Sequence, residues 1–569
     1  MTSLFTQQIR KIFKRFKGKS SGEIYPDEIF LDSRNLPEFN TYQFEGRLEK
    51  PLSRQIFFFF GVVFFLIVIV FGVKLWSLQI KDGKVYAQKG EANRLDQTIL
   101  FPDRGVIYDR NGVTLAWNEI NPNNPDFSLR TYTELSGLSS LLGFVKYPSK
   151  DTSGFYYQQD YVGKDGVEKA FNEQLRGEAG MKLIEVDAHN TIQSESIQNE
   201  AKTGKNLTLS IDSRIQHHMY ELIAELAGRV GFSGGAGVIM NVRTGEVLTK
   251  VNFPEYSSDV MTQGKDAAMI GEYLKDKRNP FLDRIVDGLY TPGSIVKPYV
   301  ALGALEEGII SPEKRILSTG SLSVPNPYQP GVFTVFKDWK AHGWVSMRDA
   351  LAVSSDVYFY EVGGGFEDQR GLGITKIDKY LKMFGFSQSV STPFFNGQAG
   401  TIPSPAWKAA NFDGEAWTLG NTYHTAIGQY GFQVSPIQVV RAVAALATSG
   451  DIHEPVILKD EATVTSRVEA NPAHYKIIRE GMRQGVTTGI ATALNVPYVT
   501  LAVKTGTAEL GASKQQVNSW LTGFFPYDDP EYAFTILMEK GPVANTTGAL
   551  YIMRQLIDWM NIYTPEYFN

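Results

Sequence analysis

Three short motifs occur in one order along the chain. Ser294-Ile295-Val296-Lys297 lies within TPGSIVKP, Ser354-Ser355-Asp356 within AVSSDVYFY, and Lys504-Thr505-Gly506-Thr507 within LAVKTGTAEL. Each is weak alone: S-x-x-K recurs at Ser311 and Lys314, S-x-D at Ser257 and Asp259, and K-T-G at Lys202 to Gly204. Those repeats run in the reverse order and lack the same flanks, so the specificity lies in ordered co-occurrence. The chemistry such a trio serves is acyl transfer. A serine hydroxyl is a poor nucleophile at neutral pH, and a lysine whose pKa is lowered by burial and a nearby positive charge can take its proton.

Ser294 follows Pro292-Gly293 and precedes a run that reads as the body of a helix, with Pro298 tolerated in its first turn. The serine is therefore expected at a helix start, where free N–H groups and the dipole favour an oxyanion. Lys297, three residues on, falls on the same face. Lys504 supplies the second positive charge and a grip for a substrate carboxylate. Gly506 is expected to let backbone approach substrate. The N–H groups of Ser294 and Thr507 form a candidate oxyanion hole, and Thr505 lies beside it as a substrate-binding residue. Ser354 can relay a proton between Lys297, Lys504 and a leaving amine. Asp356 is a hydrogen-bond partner either for Lys297 or for a substrate amide.

The remaining segments must carry these groups. Residues 56–73 are 18 uncharged, strongly apolar positions, about 27 Å as a helix and close to a bilayer core. Arg54 precedes them and Lys74 and Trp76 follow. The basic cluster Arg10, Lys11, Lys14, Arg15, Lys17 and Lys19, with Arg47, Lys50 and Arg54 nearer the span, predicts a cytoplasmic N-terminus. Residues 77–205 mix turns and short strand-like runs. Within them 101–118 reads as strand, Asn-Gly turn, strand, and 163–180 as a helix between glycines. From 206 the texture is of an enzyme domain: a helix capped at Asp212-Ser213, a hairpin over 235–253, strands near 501–510, 520–527 and 532–541, and a C-terminal helix over 545–563. The predicted fold is α+β, with one N-terminal transmembrane helix, an elongated mixed pedestal and a domain built on a central antiparallel sheet of about five strands flanked by helices. The expected divisions are 1–54 cytoplasmic tail, 55–76 transmembrane helix, 77–205 pedestal and 206–569 catalytic domain.

Composition excludes other classes. The chain of 569 residues has no cysteine, so thiol catalysis, disulfides and cysteine metal sites are absent. Its net charge of -5 and lack of a long basic run argue against nucleic acid. The seven histidines show no metal-binding spacing.

The trio resembles that of the penicilloyl-serine transferases, and the match extends further. RGVIYDRNGVTLAWN, GKDGVEKAFNEQLRGEAG, GAGVIMNVRTGEVLTKVNFPEY, TIPSPAWK and AIGQYGFQVSPIQVVRAVAALATSG are similar to segments of the class B penicillin-binding proteins. The D-W-x-x-H-G segment from Asp338 and the aspartate of S-x-D point to the elongation type, the penicillin-binding protein 2 group. The resemblance implies a membrane-anchored D,D-transpeptidase. It implies an acyl-enzyme on Ser294 formed from a D-Ala-D-Ala stem peptide, release of D-Ala, attack by a neighbouring amine that cross-links peptidoglycan, and acylation by β-lactams. It implies no cofactor. Some relatives hold a metal near the positions of Asp338 and His342; with no cysteine and only these two candidates, no metal is expected here. The implied partners are a SEDS-type membrane glycosyltransferase and other elongation-complex proteins, with the catalytic domain outside the plasma membrane. Asp356 stands where Asn is more general. A division-type transpeptidase, a D,D-carboxypeptidase and a non-catalytic β-lactam sensor or scaffold use the same trio. A glycosyltransferase-bearing class A enzyme needs a further domain, and a β-lactamase needs a general-base Glu that TIPSPAWK does not offer, Glu415 lying downstream.

Overall fold

The computed structural model describes residues 53–86, 95–152, 156–186, 192–326, 329–461, 463, 465–511 and 513–568. The expected N-terminal tail falls almost wholly outside them. The described residues fall into two units, one ending at Tyr86 and one beginning at Leu95. In the first, helix α1 (Arg54–Trp76) continues through a wider turn at Ser77–Lys81, none of its residues buried. Its length and hydropathy suit a membrane span.

The second unit opens with the pedestal. Leu95–Leu100, Gly180–Val186 and Ile192–Asn199 form one antiparallel sheet. Ile107–Tyr108, Thr114–Glu119 and Leu129–Tyr132 form part of another, joined in parallel by Leu207–Thr208. The expected strand–turn–strand is present, and its turn has a second task. Asp109 accepts the N–H groups of Asn111 and Val113 at 2.8 Å each. Its other oxygen accepts Ser213 Oγ at 2.7 Å, at the start of helix α2 (Ser213–Val230). The pedestal turn thus docks onto the catalytic domain.

The helix expected over 163–180 is broken into Gly166–Ala170 and Asn172–Leu175, interrupted at Phe171. The break serves packing. Glu168 is fully buried between Arg104 (2.5 Å) and Arg130 (2.7 Å), and Asn172 accepts Gly163 N–H at 2.9 Å and Arg104 at 3.1 Å. Burying one carboxylate between two guanidiniums is tolerable only because each charge is paired and hydrogen-bonded.

The catalytic domain is organised by strands β1 (Gly234–Asn241) and β2 (Val247–Phe253), then, after a long helical insertion, β3 (Ala502–Leu510), β4 (Gln516–Phe525) and β5 (Tyr532–Pro542). They pair antiparallel in the order β2-β1-β5-β4-β3. Alternate residues feed two cores, as strand geometry requires. On β5, Phe534, Ile536 and Met538 face the layer of α2 and the C-terminal helix Ala549–Tyr563, while Ala533 and Leu537 face the layer of the inserted helices. Pro436–Ala447, a helix buried at every residue, packs on that second face. Strand β3 is an edge strand, one side of its backbone free of the sheet.

Candidate active site

The nucleophile candidate is held by its turn. Residues Gly293–Val296 form one tight 3₁₀ turn, and helix α3 (Lys297–Glu306) follows, buried along almost its whole length with Pro298 in the first turn. Gly293 has φ +59 and donates to Gly428 O at 2.9 Å. Gly428 (φ +77) lies so close that a Cβ there would stand 2.1 Å from Gly293 O. Tyr290 pairs with Val434 through two backbone bonds, and Trp520 on β4 donates to Thr291 O at 3.0 Å. The serine turn is therefore clamped from 290 to 293. Sequence reasoning missed Gly428 and Trp520; the only signal was that both sit in segments already singled out.

Gly506 is closely hemmed in. A Cβ on it would lie 2.8 Å from Ile295 Cγ2, 2.9 Å from Pro292 O and 3.2 Å from Trp520 Cβ. The face on which a side chain would stand lies against the serine turn. The missing side chain lets β3 lie against that turn, which brings the Thr507 backbone beside Gly293.

The second motif joins two helices, α4 (Met347–Val353) and α5 (Asp356–Gly364). Ser354 ends α4 in the left-handed region, φ +59, and Ser355 caps α5. The turn between them carries the Ser354 hydroxyl inward, almost fully buried. Lys504 Nζ donates to this hydroxyl at 2.8 Å and Lys297 Nζ approaches it at 3.4 Å. Lys297 is fully buried. It donates to Ser354 O at 2.9 Å and to Asp356 Oδ1 at 2.6 Å, and its ammonium lies 5.4 Å from the centre of the Phe359 ring. Asp356 is thus a hydrogen-bond partner of Lys297. Lys504 also donates to Thr505 O at 2.9 Å. Burial, then the charge of Lys297, pushes the Lys504 pKa well below the usual lysine value against the pull of Asp356. Residues from three distant stretches of chain thus meet at one hydroxyl.

The repeats of the motifs have ordinary roles. Ser257 caps the helix Ser258–Gln263, Lys314 donates to Gln369, and Lys202 pairs with Glu178 at the exposed surface. Glu415 pairs with Lys408 at 3.2 Å, its own side chain largely in solvent. Among the described residues no group of three or more His, Asp or Glu side chains is placed to hold a metal ion. Asp338 and His342 do lie together, 3.5 Å apart.

A model of the penicillin binding protein transpeptidase domain matches residues 235–557. The chain belongs to that family. A second model, of the penicillin-binding protein dimerisation domain, matches residues 126–209. The peptidoglycan D,D-transpeptidase MrdA of Salmonella typhimurium is 27% identical, over 91% of this chain and 97% of the relative. The penicillin-binding protein 2 of Pseudomonas aeruginosa, solved in complex with WCK 5153, superposes with a TM-score of 0.67 at 27% identity, covering 82% of this chain and 97% of that one. The Helicobacter pylori protein, solved with MreC, gives 0.68 at 26%, covering 83% and 99%. The chain is a class B penicillin-binding protein of the elongation type, and its enzyme class is D,D-transpeptidase.

Proposed function

We propose that this transpeptidase cross-links peptidoglycan stem peptides through an acyl-enzyme on Ser294. The observation that carries the reading is the Ser354 hydroxyl held between Lys504 and Lys297 beside the serine turn. The stem peptide lies along the free edge of β3 in the segment Thr505–Thr507, where alternate residues turn their backbone N–H and C=O groups away from β4. Ser294 Oγ attacks the carbonyl of the penultimate D-Ala. The new C–O bond forms, the peptide C–N bond breaks, and Lys297 takes the Ser294 proton as it passes one of its own through Ser354 to the leaving D-Ala amine. The N–H groups of Ser294 and Thr507 receive the oxyanion. An acceptor amine then attacks the ester, and its proton returns to Ser294. Lys504, disfavoured as an ammonium, accepts and returns protons through Ser354. A β-lactam enters the first half of this sequence and halts there.

The divisions at residues 54, 76 and 205 are kept as the functional ones, with α1 as a single-pass anchor in the plasma membrane. The basic residues before it favour a cytoplasmic N-terminus and an extracytoplasmic active site, where the substrate lies. A chain of this class has no glycan polymerase of its own, so a SEDS-type glycosyltransferase and other elongation-complex proteins are its partners. The complex of the Helicobacter pylori protein with MreC supports the latter.

The test is labelling with a β-lactam followed by peptide mass spectrometry. The adduct is expected on the peptide containing Ser294 and absent from Lys297→Ala; an adduct on Ser311 refutes the assignment. Turnover of a stem peptide with and without an acceptor amine separates cross-linking from carboxypeptidase action, which yields hydrolysis product alone.

A further inference from the structure

We infer that Asp338 is a positioning residue for the catalytic Lys297–Asp356 pair, acting through the N-terminus of helix α5. Asp338 belongs to a loop outside the three motifs, between the strands Phe333–Lys337 and Gly343–Val345. That loop is tied at both ends: Asp338 N–H donates to Gly320 O at 2.9 Å and His342 N–H to Ser318 O at 3.0 Å. The carboxylate points from this fixed base at α5. Its Oδ2 accepts Ser355 Oγ at 2.8 Å, Val357 N–H at 3.0 Å and Ser318 Oγ at 3.1 Å. Its Oδ1 accepts Trp339 N–H at 2.9 Å and faces His342 Nε2 at 3.5 Å.

Ser355 is the cap of α5 and Val357 its second residue, so both neighbours of Asp356 are pinned to one carboxylate. A carboxylate at a helix N-terminus is favoured by the unpaired N–H groups and the dipole. With residues 355 and 357 fixed, the Asp356 Cα–Cβ bond is set in direction, and from it the carboxylate reaches Lys297 Nζ at 2.6 Å. The carbonyl that also holds Lys297 belongs to Ser354, one residue before the pinned cap. Burial opposes the Asp338 charge, but the N–H groups of Val357 and Asp356, the Ser355 hydroxyl and Lys297 outweigh it and hold the carboxyl below its usual range. An ionised carboxylate is acceptor-only, which is what donors on two elements require. The His342 side chain is buried to 5% exposure and its Nε2 has no hydrogen-bond partner among the described residues. The Asp338 side chain beside it is fully buried. The Asp338 carboxylate makes no hydrogen bond to Ser294; its effect is on where Asp356, and through it Lys297, stands.

The experiment uses the full-length chain in detergent and a fluorescent penicillin, with acylation progress separated into the initial binding constant K and the acylation rate constant k2. Asp338→Ala is expected to lower k2 about 10- to 100-fold with K unchanged, the scale of a displaced catalytic group. Asp338→Asn keeps a single acceptor oxygen and is expected to fall between wild type and alanine. A core variant of matched thermal stability, Ile377→Ala, should keep wild-type k2. Wild-type k2 in Asp338→Asn overturns the inference, as does a loss that appears in K alone or is matched by Ile377→Ala. Should Asp338→Ala fail to fold, Asp338→Asn decides by itself.

Discussion

Replacing Gly506 with alanine distinguishes packing from substrate access as the reason for that glycine. The added methyl carbon would stand 2.8 Å from Ile295 Cγ2 and 2.9 Å from Pro292 O. Non-bonded carbons rest at about 3.5–4.0 Å, so β3 and the serine turn must part by about 0.8 Å. Neither side yields easily. Ile295 is 1% exposed, the turn is clamped through Gly428, Val434 and Trp520, and β3 is bonded along its length to β4. Overpacking of this kind costs about 1–3 kcal/mol of stability, tolerable in a domain with two large cores. The chemistry is less tolerant, since a displacement near 1 Å at reacting groups costs about 100-fold in rate. Gly506→Ala is therefore expected to remain folded by circular dichroism while its acylation by fluorescent penicillin falls about 10- to 100-fold. Were the glycine needed only for substrate approach, a small β-lactam would acylate the variant normally and turnover of the stem peptide alone would fail. Wild-type acylation in a folded Gly506→Ala would refute the packing argument.

Two further outcomes follow from charges outside the site. Glu255 accepts N–H groups of Gly137, Ser139 and Ser140, yet burial dominates and raises its pKa to about 7. In the unfolded chain it ionises near 4.5, so stability is expected to fall as pH rises from about 4.5 to about 7, by about 3 kcal/mol in total. Glu255→Gln should remove that slope in denaturant melts, and an unchanged slope would mean the three N–H donors keep the carboxylate ionised. Glu168→Ala strands the buried Arg104 and Arg130 charges and should destabilise the pedestal by about 3–5 kcal/mol. Hydrogen exchange of the pedestal amides measures this, with the exposed pair Lys202–Glu178 as a control in which Glu178→Ala changes nothing.

Much of the architecture was legible in the chain because it rests on local rules. The apolar run at 56–73 has no polar face and reads as a span without reference to anything else. The strands of the central sheet are apolar runs bounded by turn residues, and the α2 cap at Asp212 is a local hydrogen bond to Arg214 N–H at 3.0 Å. The break at Phe171 was not legible, because what decides it is Glu168 meeting two arginines distant in sequence. Propensity alone continues that helix; burial of a paired charge does not.

The same division holds within the site. Residue types, order and flanks determined which serines and lysines could act, and with them the reaction class, because acyl transfer requires a nucleophile, a proton acceptor and an oxyanion site. Tertiary structure alone decided their relations. Lys504 is the lysine whose charge is disfavoured, because burial and the proximity of Lys297 arise only when β3 packs on the serine turn and Lys504 reaches Ser354. Asp356 turns to Lys297 because Asp338 pins its neighbours. Gly428 and Gly506 are glycines because backbone from distant segments passes where a Cβ would stand. Spacing along a chain encodes local geometry, and contacts across it are made by packing.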